Sequence, residues 1–229
     1  YFFDVDALIR IIDFYIDKGE YQKALEVAKY AFSLHPNSVN FLMKQAHLFA
    51  ITGQDQRALE TLDRVERISP YDLDLHLIRG NIYNTIGQYS SALECFKKAL
   101  PLVDMKDEIY FSMAITYQNM LNYPKAIEYF KMAVQQNPTY ELAMEELAAC
   151  LGITGKLQEG IAYFKQLIDK DPYSYAAWYN LGDINCRLGN YEEALHAFDY
   201  CILIKEDYAP AYLDQAQVLA MLGHYDDAI

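Results

Sequence analysis

Small and apolar residues return along this chain with helical spacing, in blocks that repeat. Within residues 175–208, Trp178, Leu181 and Gly182 share one stripe, and after Gly189 a second stripe carries Tyr191, Ala194, Phe198 and Cys201. Spacings of three, four and seven put residues on one face of a helix, so the block predicts two amphipathic helices joined at Gly189. The second-helix pattern recurs every 34 residues: YQKALEVAKYAFSLHP from Tyr21, DQRALETLDRVERISP from Asp55, YSSALECFKKALPLVD from Tyr89, YPKAIEYFKMAVQQNP from Tyr123, LQEGIAYFKQLIDKDP from Leu157 and YEEALHAFDYCILIKE from Tyr191. YDDAI from Tyr225 opens a seventh. With no insertion, the repeats run 5–38, 39–72, 73–106, 107–140, 141–174 and 175–208, with a partial one at 209–229. Such a period is the mark of a single stacked-repeat array over 1–229.

Punctuation agrees with the pattern. Gly19, Gly53, Gly87, Gly155, Gly189 and Gly223 all hold the fifteenth position, where a helix needs a left-handed stop. The fourth repeat has Leu121–Asn122 there, and Asn122 is expected to take the left-handed conformation. Pro36, Pro70, Pro138 and Pro172 mark the turn into the next repeat, whereas Pro101 comes early and should shorten or kink its helix. The eighth position is Ala46, Gly80, Ala114, Ala148, Gly182 or Ala216, with Ile12 the bulky exception. The twentieth is Ala24, Ala58, Ala92, Ala126, Gly160, Ala194 or Ala228, and Phe96, Phe130, Phe164 and Phe198 at the twenty-fourth are placed to fill the gap between paired helices. Larger residues at the small positions would overpack by ~1–3 kcal/mol per site.

These residues resemble the tetratricopeptide repeat family over essentially the whole chain. The family pattern W-x2-L-G-x2-Y…G-x-Y-x2-A-x3-F-x2-A-x4-P is met best by Trp178, Leu181, Gly182, Gly189, Tyr191, Ala194 and Phe198; Asn185 stands where an aromatic is usual and Cys201 where Ala is usual. The resemblance implies an all-α fold, an α-α superhelix or solenoid of stacked helix-turn-helix units, whose first helices line an inner groove. Pentatricopeptide repeats, which bind RNA, have a period of 35 and a basic surface, and neither feature is found here. Family members serve mostly as non-catalytic scaffolds that hold a partner peptide or helix in the groove.

The family places positions two, five, six, nine, twelve and thirteen on the concave side. Position five reads Ile9, Met43, Leu77, Phe111, Glu145, Tyr179 and Leu213, which would form a ladder of sockets for apolar anchors. The alternative is that these side chains simply pack on the neighbouring first helix. Groove acids are Asp6, Asp13, Asp17, Asp74, Glu108, Glu145, Glu146, Asp183 and Asp214, against the bases Arg10, Lys44 and Arg187. A solvated acidic face explains this; so does a patch of Glu145, Glu146 and Asp183 beside Tyr179 that favours Lys or Arg on a partner. Position six carries one asparagine, Asn180, so neither the Lys–Asn carboxylate clamp of chaperone-tail binders nor the asparagine ladder of sugar transferases is present.

Composition narrows the partners. The chain has 229 residues, 53% of them hydrophobic, with 21 Tyr and 11 Phe, too much buriable surface for a disordered segment. A net charge of −13 argues against nucleic acid or an anionic membrane face as partner, and no apolar run is long enough to span a bilayer. Cys95, Cys150, Cys186 and Cys201 lack metal-ligand spacing and read as buried thiols, which fits a cytoplasmic location. Of the histidines, only His47 falls at a groove position worth inspecting, and no phosphate loop, HExxH or nucleophile elbow occurs, so neither a cofactor nor intrinsic catalysis is expected. An alternative role is a regulatory or substrate-docking arm of an enzyme or of an assembly or secretion machine. Tyr1–Asp4 and the break at Ile229 read as cuts in a longer array, so self-association through an uncapped last repeat exposing Tyr212, Ala216 and Leu219 is expected. Gly152, Gly155 and Gly160 crowd the fifth repeat and suggest a hinge there.

Overall fold

The computed structural model describes residues 4–36 and 38–224, so the second helix foreseen from Tyr225, with Ala228, lies outside the described residues, as do Tyr1–Phe3. The chain divides into two compact units, Tyr1–Asp104 and Met105–Ile229. Among the described residues the regular structure is helical, and no strand occurs.

The first unit holds three hairpins. They are α1 (Val5–Asp17) with α2 (Tyr21–Leu34), α3 (Val39–Ile51) with α4 (Asp55–Ile68), and α5 (Leu73–Thr85) with α6 (Tyr89–Ala99). Pro101 ends α6 early, as its position requires: the chain tightens into a 3₁₀ turn at Leu100–Leu102. The second unit holds α7 (Asp107–Asn119) with α8 (Tyr123–Gln136), α9 (Glu141–Ile153) with α10 (Leu157–Lys170), α11 (Tyr175–Leu188) with α12 (Tyr191–Ile204), and α13 (Ala209–Leu222). Each unit is an α-α solenoid in miniature, the all-α class that the spacing predicts.

Every hairpin turns on one left-handed residue. In the first, Gly19 sits at φ 71°, its N–H donates to the Ile16 carbonyl at 2.8 Å, and Glu20 N–H donates to Tyr15 at 2.8 Å, which satisfies carbonyls left open by the ending helix. In the fourth hairpin the left-handed residue is Leu121, at φ 58°, and not Asn122. Asn122 starts α8 instead, its side chain accepting from Lys125 N–H at 3.3 Å. The N-cap role outweighs the backbone tolerance of asparagine, because only residue 122 can reach the orphan N–H groups of α8.

The core follows the small-and-large pattern. Phe96, Phe130, Phe164 and Phe198 are fully buried, as are Ala24, Ala58, Ala92, Ala126 and Ala194 of the facing column. Burial of each ring contributes about 1.5–3 kcal/mol. Gly80 and Gly182 let the hairpin close further: a Cβ on Gly80 would lie 2.6 Å from Phe96, and one on Gly182 2.5 Å from Phe198. The fifth-repeat glycines are likewise occupied by packing. A Cβ on Gly160 would meet Ile184 at 2.6 Å, one on Gly152 would meet the Arg187 guanidinium at 2.8 Å, and Gly155 supplies the left-handed stop.

Candidate functional site

The first unit presents a cavity of about 540 Å³ lined by Ile9, Asn40, Met43, Lys44, His47, Asp72, Asp74, Leu77 and Ile78. All but Asp72 stand at positions two, five, six or nine of their repeats. Ile9, Met43 and Leu77 are half-buried rungs of one apolar wall, brought together because α3 packs on α5 and each rung recurs after one 34-residue step. Lys44 Nζ is held by Asp13 Oδ1 at 2.5 Å, which fixes the only lysine of the wall and removes it from competition for a ligand's carboxylate. Burial, reinforced by the Lys44 charge and opposed by Asp74, holds the His47 imidazole below its ordinary pKa, so it is neutral at pH 7. Asp72 caps α5, accepting from Leu75 N–H at 3.2 Å, and Asp74 stays exposed at the rim. A second cavity of about 270 Å³ adjoins, sharing His47 and Ile78.

In the second unit the position-five residues diverge. Phe111 packs its ring on Phe130 at 5.7 Å and on Tyr140 at 5.0 Å, so it serves the core. Glu145 is exposed, Leu213 is 63% exposed, and Tyr179 is half-buried against Phe198 and Tyr208. Asn180 is 2% exposed and donates from Nδ2 to the Ala176 carbonyl at 2.8 Å, so it faces its own helix and offers nothing to a ligand.

The three acids foreseen beside Tyr179 have separate engagements. Glu146 accepts from Gln118 Nε2 at 2.9 Å, and Asp183 accepts from Arg187 Nε at 2.9 Å. Glu145 accepts from the Tyr208 hydroxyl at 3.4 Å. A tyrosine cluster takes the central place. Tyr179 donates to Asp214 at 2.8 Å, Tyr175 donates to Glu141, and the Tyr208 ring stands 5.2 Å from each of the other two rings. Burial, together with Asp214 for Tyr179 and with Glu145 for Tyr208, raises both phenols far above the ordinary value, so they remain donors throughout the neutral range. Glu141, Tyr175, Tyr208 and Lys205 were not legible as site residues, because they occupy position one, position thirty-four or the end of a second helix. The recurrence of Tyr140 and Tyr208 at position thirty-four is the one signal that could have pointed to them.

A small crevice of about 140 Å³ lies next to this cluster, lined by Cys186, Phe198, Asp214, Val218 and Met221 among others. Burial pushes the Cys186 thiol up to about 11, which keeps it protonated and a poor nucleophile. Among the described residues no group of His, Cys, Asp and Glu is placed to hold a metal ion, and no helix is long and apolar enough to cross a membrane.

Sequence profiles described as Tetratricopeptide repeat match residues 12–72, 154–202, 108–140 and 73–101. None of the curated protein sequences matches. Among solved structures, the C-terminal part of a TPR repeat-containing protein from Cytophaga hutchinsonii is similar at TM-score 0.69 and 16% identity, over 95% of this chain and 87% of that one. A tetratricopeptide repeat protein from Parabacteroides merdae is similar at TM-score 0.62 and 18% identity, over 98% and 88%. YrrB, described as a TPR protein with an unusual peptide-binding site, is similar at TM-score 0.53 and 24% identity, over 82% and 96%. At these identities the likeness speaks to fold. With helical hairpins in 34-residue register and matching profiles along most of its length, the chain belongs to the tetratricopeptide repeat family.

Proposed function

We propose that this protein is a non-catalytic interaction scaffold that holds a segment of a protein partner against its first helices, with apolar anchors in the first unit and some basic character overall. The observation that carries this reading is the cavity walled by Ile9, Met43 and Leu77, open to solvent yet large enough for one or two side chains. Charge supports the basic character: Lys44 and Arg187 are held by Asp13 and Asp183, which leaves Asp74, Glu145 and Asp214 in excess over cations at concave positions. YrrB, similar in fold and described as having a peptide-binding site, supports the reading that a chain of this fold can hold a peptide.

The test is selection of 12-residue peptides from a random library against the full chain, followed by affinity measurement on a Leu77→Asp variant. Burial of one apolar anchor is worth about 1.5–3 kcal/mol, so affinity should fall about ten- to hundredfold. Circular dichroism should match the parent, and melting should stay cooperative with only a modestly lower midpoint, since Leu77 is half-buried. Selected peptides that lack apolar residues, or that bind both proteins equally, would overturn the reading.

A further inference from the structure

The second unit carries an arrangement that the apolar cavity does not explain. The hydroxyls of Tyr175, Tyr179 and Tyr208 go to three different carboxylates, Glu141, Asp214 and Glu145. Their rings form a partial cage: Tyr179 and Tyr208 meet at 78°, Tyr175 and Tyr208 at 59°, each pair with centroids 5.2 Å apart. Into this cage reaches Lys205, its Nζ 4.1 Å from the Tyr175 centroid and 5.1 Å from that of Tyr208, while it donates to the Tyr175 hydroxyl at 2.7 Å. Aromatic faces attract a cation within about 6 Å, and carboxylates bonded to the same rings strengthen the field. Three carboxylates accept from the hydroxyls of the cage, and one ammonium lies on its rings; the nearby Arg187 is already engaged by Asp183. One internal cation therefore leaves the site negative.

We propose that this tyrosine–carboxylate cage is a subsite for a cationic side chain of a protein segment, a lysine ammonium or an arginine guanidinium, and that Lys205 is its internal occupant in the free protein. The inference rests on the scaffold reading above and adds the chemistry of a second contact. Charge complementarity selects the occupant: an anionic segment would meet Glu141, Glu145 and Asp214, and a neutral one would leave these three carboxylates in excess over the single ammonium of Lys205. Because Lys205 already satisfies the rings, it competes with the incoming cation.

The experiment titrates Nα-acetyl-lysine amide, Nα-acetyl-arginine amide and the uncharged Nα-acetyl-norleucine amide into the 229-residue chain carrying ¹³C-labelled tyrosine, reading ring chemical shifts. The two cations should shift the Tyr175, Tyr179 and Tyr208 signals saturably, and norleucine amide should not. Lys205→Met should tighten the lysine probe about three- to tenfold, and Lys205→Gln, which keeps a hydrogen-bond donor for Tyr175, should do the same. Glu145→Gln should weaken it by a similar factor. The proposal is overturned by norleucine amide binding as well as lysine amide, by tyrosine signals that stay still, or by Lys205 variants that bind no tighter than the parent. Leu77→Asp lies in the first unit and should leave this titration unchanged, so loss of the apolar contact and loss of the cationic one are read separately.

Discussion

Leu121 shows how much one residue can depart from its repeat. It holds the left-handed conformation that Gly supplies at the equivalent turns, with φ 58°, and it is 71% exposed, so little packing offsets the clash of its Cβ with the carbonyl. For an L-residue that conformation costs about 1–2 kcal/mol. Leu121→Gly is therefore expected to raise stability by about 0.5–1.5 kcal/mol, less than the full strain because glycine adds freedom to the unfolded chain; chemical denaturation checks it. Unchanged or lowered stability would mean that Leu121 makes contacts worth more than its strain. The sequence shows that the fourth turn is unusual, but it cannot say which of two adjacent residues bends, since that depends on whether the asparagine side chain is needed to cap α8. Asn180 poses the same difficulty: at a nominally concave position it turns back on Ala176, and only coordinates distinguish a buried self-bonding amide from a ligand-facing one.

At the level of helices, α4 and α5 are tied by a nearly buried charge. Arg79, 8% exposed, donates from Nη1 to Glu66 at 2.6 Å and from Nη2 to Asp63 at 3.0 Å. The guanidinium hydrogen bond holds the Glu66 carboxyl below its ordinary 4.5, against the opposing effect of burial. A depressed carboxylate stabilises the fold above its unfolded pKa and loses that contribution as pH falls through the folded value. The gap in melting temperature between the parent and Arg79→Met should thus be widest above about pH 5 and narrow below about pH 4. A gap that stays constant from pH 6 to pH 3 would show that Arg79 acts through packing alone. The pairing crosses hairpins at positions that the repeat pattern leaves free, which is why periodicity alone does not reveal it.

Across the whole molecule, the legible part is what repeats and the illegible part is what does not. Helix ends, left-handed glycines and the phenylalanine column follow from a 34-residue period, because each is required by the same local geometry. The apolar rungs Ile9, Met43 and Leu77 were legible for the same reason, whereas the cage around Lys205 recurs only in part: Phe111 meets Tyr140 as Tyr179 meets Tyr208, but Tyr175 and the lysine on its ring join it from other helix ends. The division at Asp104 falls where Pro101 has cut α6 short. Within a unit, stability is shared between neighbours. Phe164→Ala, at a fully buried ring, should cost about 3–5 kcal/mol. It should accelerate amide exchange in α9 and α11 as well as in α10, since all three share one core. Acceleration confined to α10 would contradict that coupling.

Volume in these hairpins is conserved by pairs. Ile12 stands with Ala28, Ala46 with Leu62, Ala114 with Phe130, and Gly80 and Gly182 each with a phenylalanine whose ring occupies the space of the missing methyl. The first hairpin is therefore the one that cannot be exchanged helix by helix. An engineer who grafts α1 onto the second helix of another hairpin will set Ile12 against Leu62 or a phenylalanine, and one who grafts α2 onto another first helix will set Ala28 against Ala or Gly, so that hairpin is recombined only as a pair.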